Sequence, residues 1–162
     1  MADGIVSVSR RIESPAGKLF ALLADTANHP ALDGAGMLRE ASPAVMLTAA
    51  GDVFRVKMHN SWMGDYEMAN HVVLFEPGLR IAWAPVLAAA SRPEDQDGIG
   101  SRDGHIWSYE LRPDGPGATV VTETFDCSSA PDYLRKATRE GEAWRGAMTE
   151  SLDRLAQLSG SA

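Results

Sequence analysis

The sequence is poor in cysteine, in basic residues and in long apolar runs, and each shortage excludes a class of protein. Cys127 is the single cysteine among 162 residues, so a disulfide framework and a multi-cysteine zinc site are both excluded. The 22 acidic residues outnumber the 15 basic ones, and the net charge of -7 opposes binding to nucleic acid or an anionic lipid surface. No apolar run approaches the roughly 18 residues of a membrane span. We therefore expect no nucleic-acid partner and no integral membrane association.

Cofactor motifs are also missing. The four histidines form no HExxH pair and no compact cluster with carboxylates, which argues against a metal site. The glycine-rich segment 33–36 lacks the complete phosphate-binding patterns, and the acidic segment 94–97 lacks the twelve-residue calcium-loop pattern. The sequence thus predicts no metal and no cofactor. A lone cysteine and a start without the basic residues of a signal peptide lead us to expect a cytoplasmic location, and the preference for Arg and Ala is typical of bacteria.

What is present is ordinary globular composition, with 44% hydrophobic and 23% charged residues. A chain of this length predicts one domain, covering 1–162. Alternating apolar residues and turn signals predict strands at 5–13, 37–41, 52–60, 65–75, 79–87, 104–112 and 118–128. The polar segment 91–103 is predicted to be a loop, either mobile near an opening or simply solvated.

Helix signals lie at both ends of this run of strands. Ser14-Pro15 predicts the start of a short helix, and a second short helical piece at 25–32 is limited by His29-Pro30. Ser129 and Asp132 form a capping-box pattern that predicts the start of one long helix. Its apolar stripe has spacings of three and four and comprises Leu134, Ala137, Gly141, Trp144, Met148, Leu152, Leu155 and Leu158. The element order favours an α+β fold in which a curved antiparallel sheet grips the C-terminal helix.

Several segments resemble the START-like, polyketide-cyclase/dehydrase superfamily, also called SRPBCC or the helix-grip fold. They are Ile12-Glu13-Ser14-Pro15 with Leu19-Phe20-Ala21-Leu22-Leu23-Ala24-Asp25, Glu76-Pro77 with Arg80-Ile81-Ala82-Trp83, Trp107-Ser108-Tyr109-Glu110-Leu111 with 117–126, and Ser151-Leu152 with Arg154-Leu155. The resemblance covers nearly the whole chain and implies a cavity for a hydrophobic ligand between sheet and helix. Members include sterol and lipid carriers, plant ligand-binding proteins, polyketide cyclases and chaperone activators, and fold alone does not choose among them.

We expect binding of a small hydrophobic molecule, such as an aromatic polyketide, a lipid or a quinone, by a monomer or homodimer acting as carrier or binding protein. One alternative is a polyketide cyclase or dehydratase that uses Glu123 and Tyr109 for proton transfer. A further alternative is an interaction protein similar to chaperone activators. In the last hairpin we predict that Tyr109 pairs with Val121 and Trp107 with Glu123.

Strand alternation then predicts which side chains face the ligand. The predicted binding residues are Phe54, Val56, Met58, Asn70, Val72, Ile81, Trp83, Trp107, Tyr109, Val121, Glu123 and Phe125 from the strands, with Trp144 and Met148 from the helix. The same residues could instead fill a solid core, and Glu123 could be a solvated or ion-paired glutamate. His59 and His71 are predicted on the surface, while His29 and His105 lie at the cavity mouth or serve structure.

Overall fold

The computed structural model describes residues 3–61, 64–88 and 104–160. The predicted loop at 91–103 lies outside these residues. Within them the seven predicted strands are present, each within two residues of its predicted ends. They are β1 (Ile5–Ile12), β2 (Leu38–Ala41), β3 (Val53–Asn60), β4 (Gly64–Glu76), β5 (Arg80–Leu87), β6 (Ile106–Pro113) and β7 (Thr119–Asp126).

The strands form an antiparallel sheet in the order β1-β7-β6-β5-β4-β3-β2. Strict alternation is clearest in β7, where Thr119, Val121, Glu123 and Phe125 are buried and the residues between them are half-buried. Successive strands β1 and β2 occupy opposite edges. The chain between them therefore crosses the sheet, and it does so as helices α1 (Ala16–Ala24) and α2 (His29–Leu32), with a 3₁₀ turn at Thr26–Asn28.

The entry into α2 corrects one expectation. His29-Pro30 was predicted to limit a helical piece, yet α2 begins there, with Pro30 in its first turn and His29 in helical geometry (φ -60°, ψ -39°). Proline is well suited to the first turn of a helix, because the amide hydrogen that it lacks has no partner at that position anyway. The preference of a pre-proline residue for extended backbone is overridden here by packing, since the His29 side chain is buried.

The C-terminal helix is also shorter than predicted. It is divided into α3 (Asp132–Ala137), a 3₁₀ turn at Glu142–Trp144 and α4 (Arg145–Leu158). Between them Arg139, Glu140 and Gly141 have φ of 51°, 57° and 91°, which ends a right-handed helix. A Cβ on Gly141 would lie 3.0 Å from side-chain carbons of Phe125 and Val6, so the chain turns where it approaches the sheet most closely. The predicted Ser129 cap is wrong as well, because Pro131 occupies the N-cap without a side-chain hydrogen bond.

α4 closes the concave side of the sheet and packs mainly against β1. It buries Met148, Ser151, Leu152, Leu155 and Ala156. At one end of the interior it meets α1 and the aliphatic residues of the sheet in a continuous core that contains Ile12, Leu19, Leu23, Leu111, Val121 and Leu155. The other end is not filled in this way.

The segment after α2 is fixed to α4 by close backbone approach. A Cβ on Gly34 would overlap the carbonyl oxygen of Ala147, so only glycine fits. The Gly34 N–H donates to Ser151 Oγ at 2.9 Å, and Arg154 Nη1 donates to the carbonyl of Asp33 at 2.9 Å. These bonds hold residues 33–38 over the open end of the interior.

Candidate functional site

A cavity of about 510 Å³ lies between the sheet and α4, within the usual size range of small-molecule sites. Its walls come from β2 to β7, from α1, α2, α3 and α4, and from the segment after α2. Tyr133 and Leu87 line it and are exposed, with 67% and 42% of their surface accessible, which places them at its rim. The resemblance implied such a cavity, and the structure has it.

Most of the predicted binding residues line this cavity. They are Phe54, Val56, Met58, Asn70, Trp83, Trp107, Tyr109, Glu123, Trp144 and Met148. Their positions follow from strand alternation, which sends every second side chain of β3 to β7 toward the helix.

Four predicted residues do not line the cavity: Val72, Ile81, Val121 and Phe125. All four are buried at 2% exposure or less, so the predicted face is right and the predicted contact with the cavity is wrong. Alternation determines which face a side chain occupies but not whether another side chain covers it. Trp107 covers Phe125, with ring centroids 4.6 Å apart, and the three aliphatic residues belong to the packed core.

The pairing of β6 with β7 differs from the prediction by two residues. Tyr109 lies opposite Glu123, and Trp107 lies opposite Phe125. A shift of one residue would have reversed the faces, whereas a shift of two leaves every side chain on its predicted face. As a result, the two candidate proton-transfer residues, Tyr109 and Glu123, are direct cross-strand neighbours.

Aromatic rings form two groups around the cavity. In the inner group His29 stacks on Trp83 at 5.3 Å, and Phe54 contacts both rings edge-on. Tyr109 joins it through Trp83, with centroids 5.9 Å apart. The outer group comprises Trp107, Phe125 and Trp144 with His105. Large rigid rings on several sides suit a flat apolar ligand.

Two of the four histidines line the cavity, and two do not. His29 and His105 line the cavity, and buried His29 bonds through Nε2 to the Leu23 carbonyl at 2.7 Å. Burial lowers the pKa of His29, so its ring is neutral at neutral pH. His59 is on the surface as predicted, beside Asp65. The surface prediction for His71 is wrong, because its side chain is 1% exposed.

The burial of His71 reflects a local break in alternation. Ala69, Asn70, His71 and Val72 are consecutive and all buried, so both faces of β4 are covered at this point. A pattern that predicts a half-exposed strand does not reveal a residue that is buried on the outer face. The only indication in the sequence is the apolar run 72–75 beside His71.

Glu123 is the buried carboxyl of the cavity, with 4% of its surface accessible. Burial raises its pKa to about 8, hydrogen bonding to Tyr109 opposes that rise, and the nearby charge of Asp33 adds to it. The pKa of Tyr109 is well above its ordinary value, first because of burial and then because of Glu123. Glu123 Oε1 has no hydrogen-bond partner among the described residues. Glu123 is therefore not a solvated glutamate, and it forms no ion pair within the described residues.

Sequence reasoning missed the segment after α2. Asp33, Ala35, Met37 and Leu38 line the cavity, and the Asp33 carboxylate accepts the N–H groups of Ala35, Met37 and Leu38 at 2.7–3.1 Å. Asp33 followed by Gly34 was read only as a turn. Its position over the cavity depends on the tertiary bonds to α4.

No helix in the described part of the chain is long and apolar enough to cross a membrane. Within 3–61, 64–88 and 104–160, no three His, Cys, Asp or Glu side chains come together as a metal site.

In comparisons with known proteins, no family model matches the chain. The Mycobacterium tuberculosis protein Rv0088 is 31% identical over 127 residues, which cover 78% of this chain and 49% of that protein. The chain therefore spans about half the length of this curated relative.

Many solved structures share the fold at low sequence identity. Protein NE0264 from Nitrosomonas europaea has a TM-score of 0.68 at 13% identity, covering 98% of this chain and 95% of its own. The AHSA1-like protein from Aeromonas hydrophila gives 0.58 at 16% identity over 96% and 94% of the two chains. Norcoclaurine synthase from Thalictrum flavum gives 0.59 at 11% identity over 95% and 91%. Likeness at such identities shows a common fold alone.

Proposed function

We propose that this chain, which has the START-like (SRPBCC) helix-grip fold, binds a small hydrophobic molecule in its cavity as a carrier or binding protein. The ligand is of the aromatic polyketide, quinone or lipid type. The observation that carries the proposal is the cavity of about 510 Å³ with aromatic rings on several sides.

The chemistry of the lining favours a ligand site over an empty packing defect. Apolar surface that faces an unfilled space gains no dispersion contacts, so a ligand that fills the space restores them. Trp83, Trp107 and Trp144 supply large ring faces with few rotatable bonds, which lowers the entropy lost when a ligand orders them.

Nile red, an uncharged dye that brightens in apolar sites, tests this proposal. We expect saturable binding at one dye per chain, and Trp107→Ala to weaken it by about tenfold, the loss that roughly 1.4 kcal/mol of ring contact implies. Leu79→Ala is the matched control, because Leu79 is 49% exposed and does not line the cavity. Absence of saturable binding, or equal weakening by both variants, would contradict a ligand site here.

Native mass spectrometry of freshly purified protein extends this test to the natural ligand. A co-purifying mass that is lost on organic extraction, and that the Trp107→Ala variant retains less well, is the expected result. Its chemical formula would identify the ligand class.

The Glu123–Tyr109 pair favours a second candidate function, a cyclase or dehydratase. A carboxyl with a pKa of about 8 is protonated at neutral pH and can act as a general acid beside a bound carbonyl compound. Glu123→Gln keeps the volume and removes the acid. An enzyme would lose turnover of an identified substrate with little change in affinity, whereas a carrier would bind it nearly as before.

Several further expectations extend this proposal. A cytoplasmic location, a single domain over 1–162 and a monomeric or homodimeric state all stay predictions. The lone Cys127, buried in the structure, supports the first of them.

A further inference from the structure

One polar side chain of the cavity wall lacks the protein partner that a buried amide ordinarily has. Asn70 is 5% exposed and lines the cavity, and its carboxamide forms no hydrogen bond with any described residue. Its cross-strand neighbours are apolar, because Asn70 lies opposite Phe54 of β3 and Pro85 of β5. Buried polar groups are almost always satisfied, so an unpaired amide on this wall indicates that a bound molecule supplies its partners.

The Asn70 carboxamide is open to the cavity. Unpaired side-chain atoms that are sealed within the protein, such as Ser14 Oγ and Trp144 Nε1, meet neither water nor a ligand, and neither polar atom of Asn70 belongs to this sealed group. The small accessible surface of Asn70 therefore includes its amide, and that surface opens on the cavity that the residue lines. The amide oxygen can accept hydrogen bonds, and the amide nitrogen can donate two.

His29 presents a second open polar atom to the cavity. Its Nε2 lies 2.7 Å from the carbonyl oxygen of Leu23, and because a carbonyl only accepts, Nε2 carries the ring proton. In the neutral ring Nδ1 then holds a lone pair, and this atom also has no partner among the described residues and is not sealed. A histidine of ordinary pKa, about 6.5, is mostly neutral at pH ~7.5. Burial lowers the pKa of His29 further.

The two open groups adjoin the same aromatic ring. His29 lies edge-on to Phe54, with ring centroids 5.3 Å apart, and Phe54 is the direct cross-strand partner of Asn70. Directly opposed side chains in a sheet have Cβ atoms about 5 Å apart. His29 also stacks on Trp83 at 5.3 Å, and Trp83 is one inward position from Pro85, the other partner of Asn70. Both groups therefore face the same part of the cavity.

The chemistry of these two groups defines what they bind. Only a donor satisfies His29 Nδ1, whereas Asn70 can pair with a donor or with an acceptor. A hydroxyl meets both needs, because its hydrogen bonds to Nδ1 and its oxygen accepts from the Asn70 amide nitrogen. A ketone or ether oxygen offers lone pairs alone and leaves Nδ1 unpaired. Other polar groups of the lining, such as Asp33 and Ser151, are already bonded to backbone N–H groups.

We propose that the cavity selects an uncharged aromatic ligand that carries a hydroxyl group, and that His29 Nδ1 and the Asn70 carboxamide are the groups that bind the hydroxyl. This inference rests on the proposed binding function, and it names the ligand class and the two residues that determine specificity.

Calorimetric titration at pH ~7.5 with three naphthalenes tests the selection. The probe 2-naphthol carries the hydroxyl, 2-methylnaphthalene has a methyl group in its place, and 2-methoxynaphthalene has an oxygen that accepts but cannot donate. We expect 2-naphthol to bind about tenfold more tightly than 2-methylnaphthalene, as about 1.4 kcal/mol of hydrogen bonding implies. It should bind about fivefold more tightly than 2-methoxynaphthalene, because the ether leaves His29 Nδ1 unpaired.

Two variants assign the preference to the named residues. Asn70→Leu keeps nearly the same volume and removes both amide atoms, so the preference for 2-naphthol over 2-methylnaphthalene should fall to about threefold or less. The affinity for 2-methylnaphthalene itself should not fall. His29→Phe keeps a ring against Phe54 and Trp83 and removes Nδ1, so the preference for 2-naphthol over 2-methoxynaphthalene should fall to about twofold. Leu79→Ala, away from the cavity, should keep both preferences.

Urea denaturation gives a readout that needs no ligand. The Asn70 amide has no hydrogen bond to lose, so Asn70→Leu should leave the urea midpoint unchanged or raise it. Asn28→Leu is the matched control, because the Asn28 amide donates to the carbonyl of Leu22 at 3.1 Å and does not line the cavity. Loss of that bond should lower the midpoint. An equal fall in both variants would show that Asn70 serves stability, and it would overturn the assignment of Asn70 to a ligand.

The outcomes separate this inference from the binding function. Saturable Nile red binding together with equal affinities for 2-naphthol and 2-methylnaphthalene would overturn the hydroxyl selection and leave the binding function intact. A preference unchanged in Asn70→Leu would also overturn it. This variant decides alone if His29→Phe, which leaves the Leu23 carbonyl without its partner, does not fold. If neither Nile red nor any of the three probes binds, both proposals are wrong.

Discussion

Two ends of the same hairpin differ in what they place against the helices. At the closed end of the interior, Leu111 of β6 pairs with Val121 of β7, and both are at most 2% exposed within the aliphatic core. One step further along, the inward pair is Tyr109 and Glu123, and both of these side chains line the cavity. Backbone geometry and alternation are the same at both ends.

The difference lies in side-chain chemistry and in what is packed opposite. The closed end joins branched aliphatic groups from strands and helices, which fill space completely. The open end uses aromatic rings with polar tips, which cannot all be satisfied by one another and leave space between the sheet and α4. The aliphatic part of the core thus lies at one end, and the candidate binding chemistry lies at the other.

Removing α4 should have the largest effect on stability, because this helix packs against both ends of the interior. A chain of residues 1–143 loses Met148, Leu152, Leu155 and Ala156 from the interior. Each large buried side chain contributes roughly 1.5–3 kcal/mol, and a domain is commonly stable by only about 5–15 kcal/mol. We expect no cooperative thermal transition by circular dichroism. A sharp transition in the truncated chain would show that the sheet is stable without this helix.

Two valines give a matched pair for the next test. Val121 lies in the closed end at 0% exposure, and Val56 lines the cavity at 1% exposure. Val121→Ala should lower the free energy of unfolding by about 2–3 kcal/mol, since a new void adds to the lost methyl groups. Val56→Ala should cost about 1 kcal/mol less, because it only enlarges an existing space.

Urea denaturation of the two valine variants measures the costs, and Nile red titration reports on the cavity. Only Val56→Ala should change dye affinity. Equal costs in unfolding, together with equal effects on the dye, would mean that the two ends are not energetically distinct.

The sequence predicted the sheet well because its signals are local. Alternation and turn residues located each strand, and β7 alternates without interruption. The C-terminal helix was predicted less well, because its apolar spacing continued through Gly141 and concealed the break. That break depends on the close approach to Phe125 and Val6, which no local pattern reports.

The sequence predicted which strand residues face the interior, but not which of them reach the cavity. The alternation of side chains along a strand predicted the correct faces for Trp107, Tyr109 and Glu123, although the observed pairing of β6 with β7 differs from the predicted one by two residues. Which inward residues meet the cavity depends on how far the helix stands from each, so Val121 was indistinguishable from Glu123. Asp33 reaches the cavity through tertiary hydrogen bonds to α4, and its contribution could not be seen from spacing.

The smallest expected effect isolates Glu123, the buried carboxyl of the cavity. The pKa of Glu123 is about 8 in the folded protein and near 4.5 when exposed on unfolding. Between these values the folded state holds a proton that the unfolded state has released, so stability falls as the pH rises and levels off above about 8. The slope in that window is about 1.4 kcal/mol per pH unit. From pH 6.5 to 8 the loss is about 1.5 kcal/mol, because the slope falls to half its value at the pKa of the folded state.

Urea denaturation at several pH values in this range, compared with Glu123→Gln, measures the effect. The range avoids most of the contribution of His29, whose lowered pKa makes the folded state gain stability with rising pH in the region below about 6.5. Gln cannot titrate, so its stability should not show the Glu123 slope. Glu142→Gln is the control, because Arg145 lowers the pKa of exposed Glu142 and places its titration below the window. Parallel pH profiles for the wild-type protein and Glu123→Gln would show that Glu123 is ionised in the folded state, and the open end would then present acceptors rather than a donor.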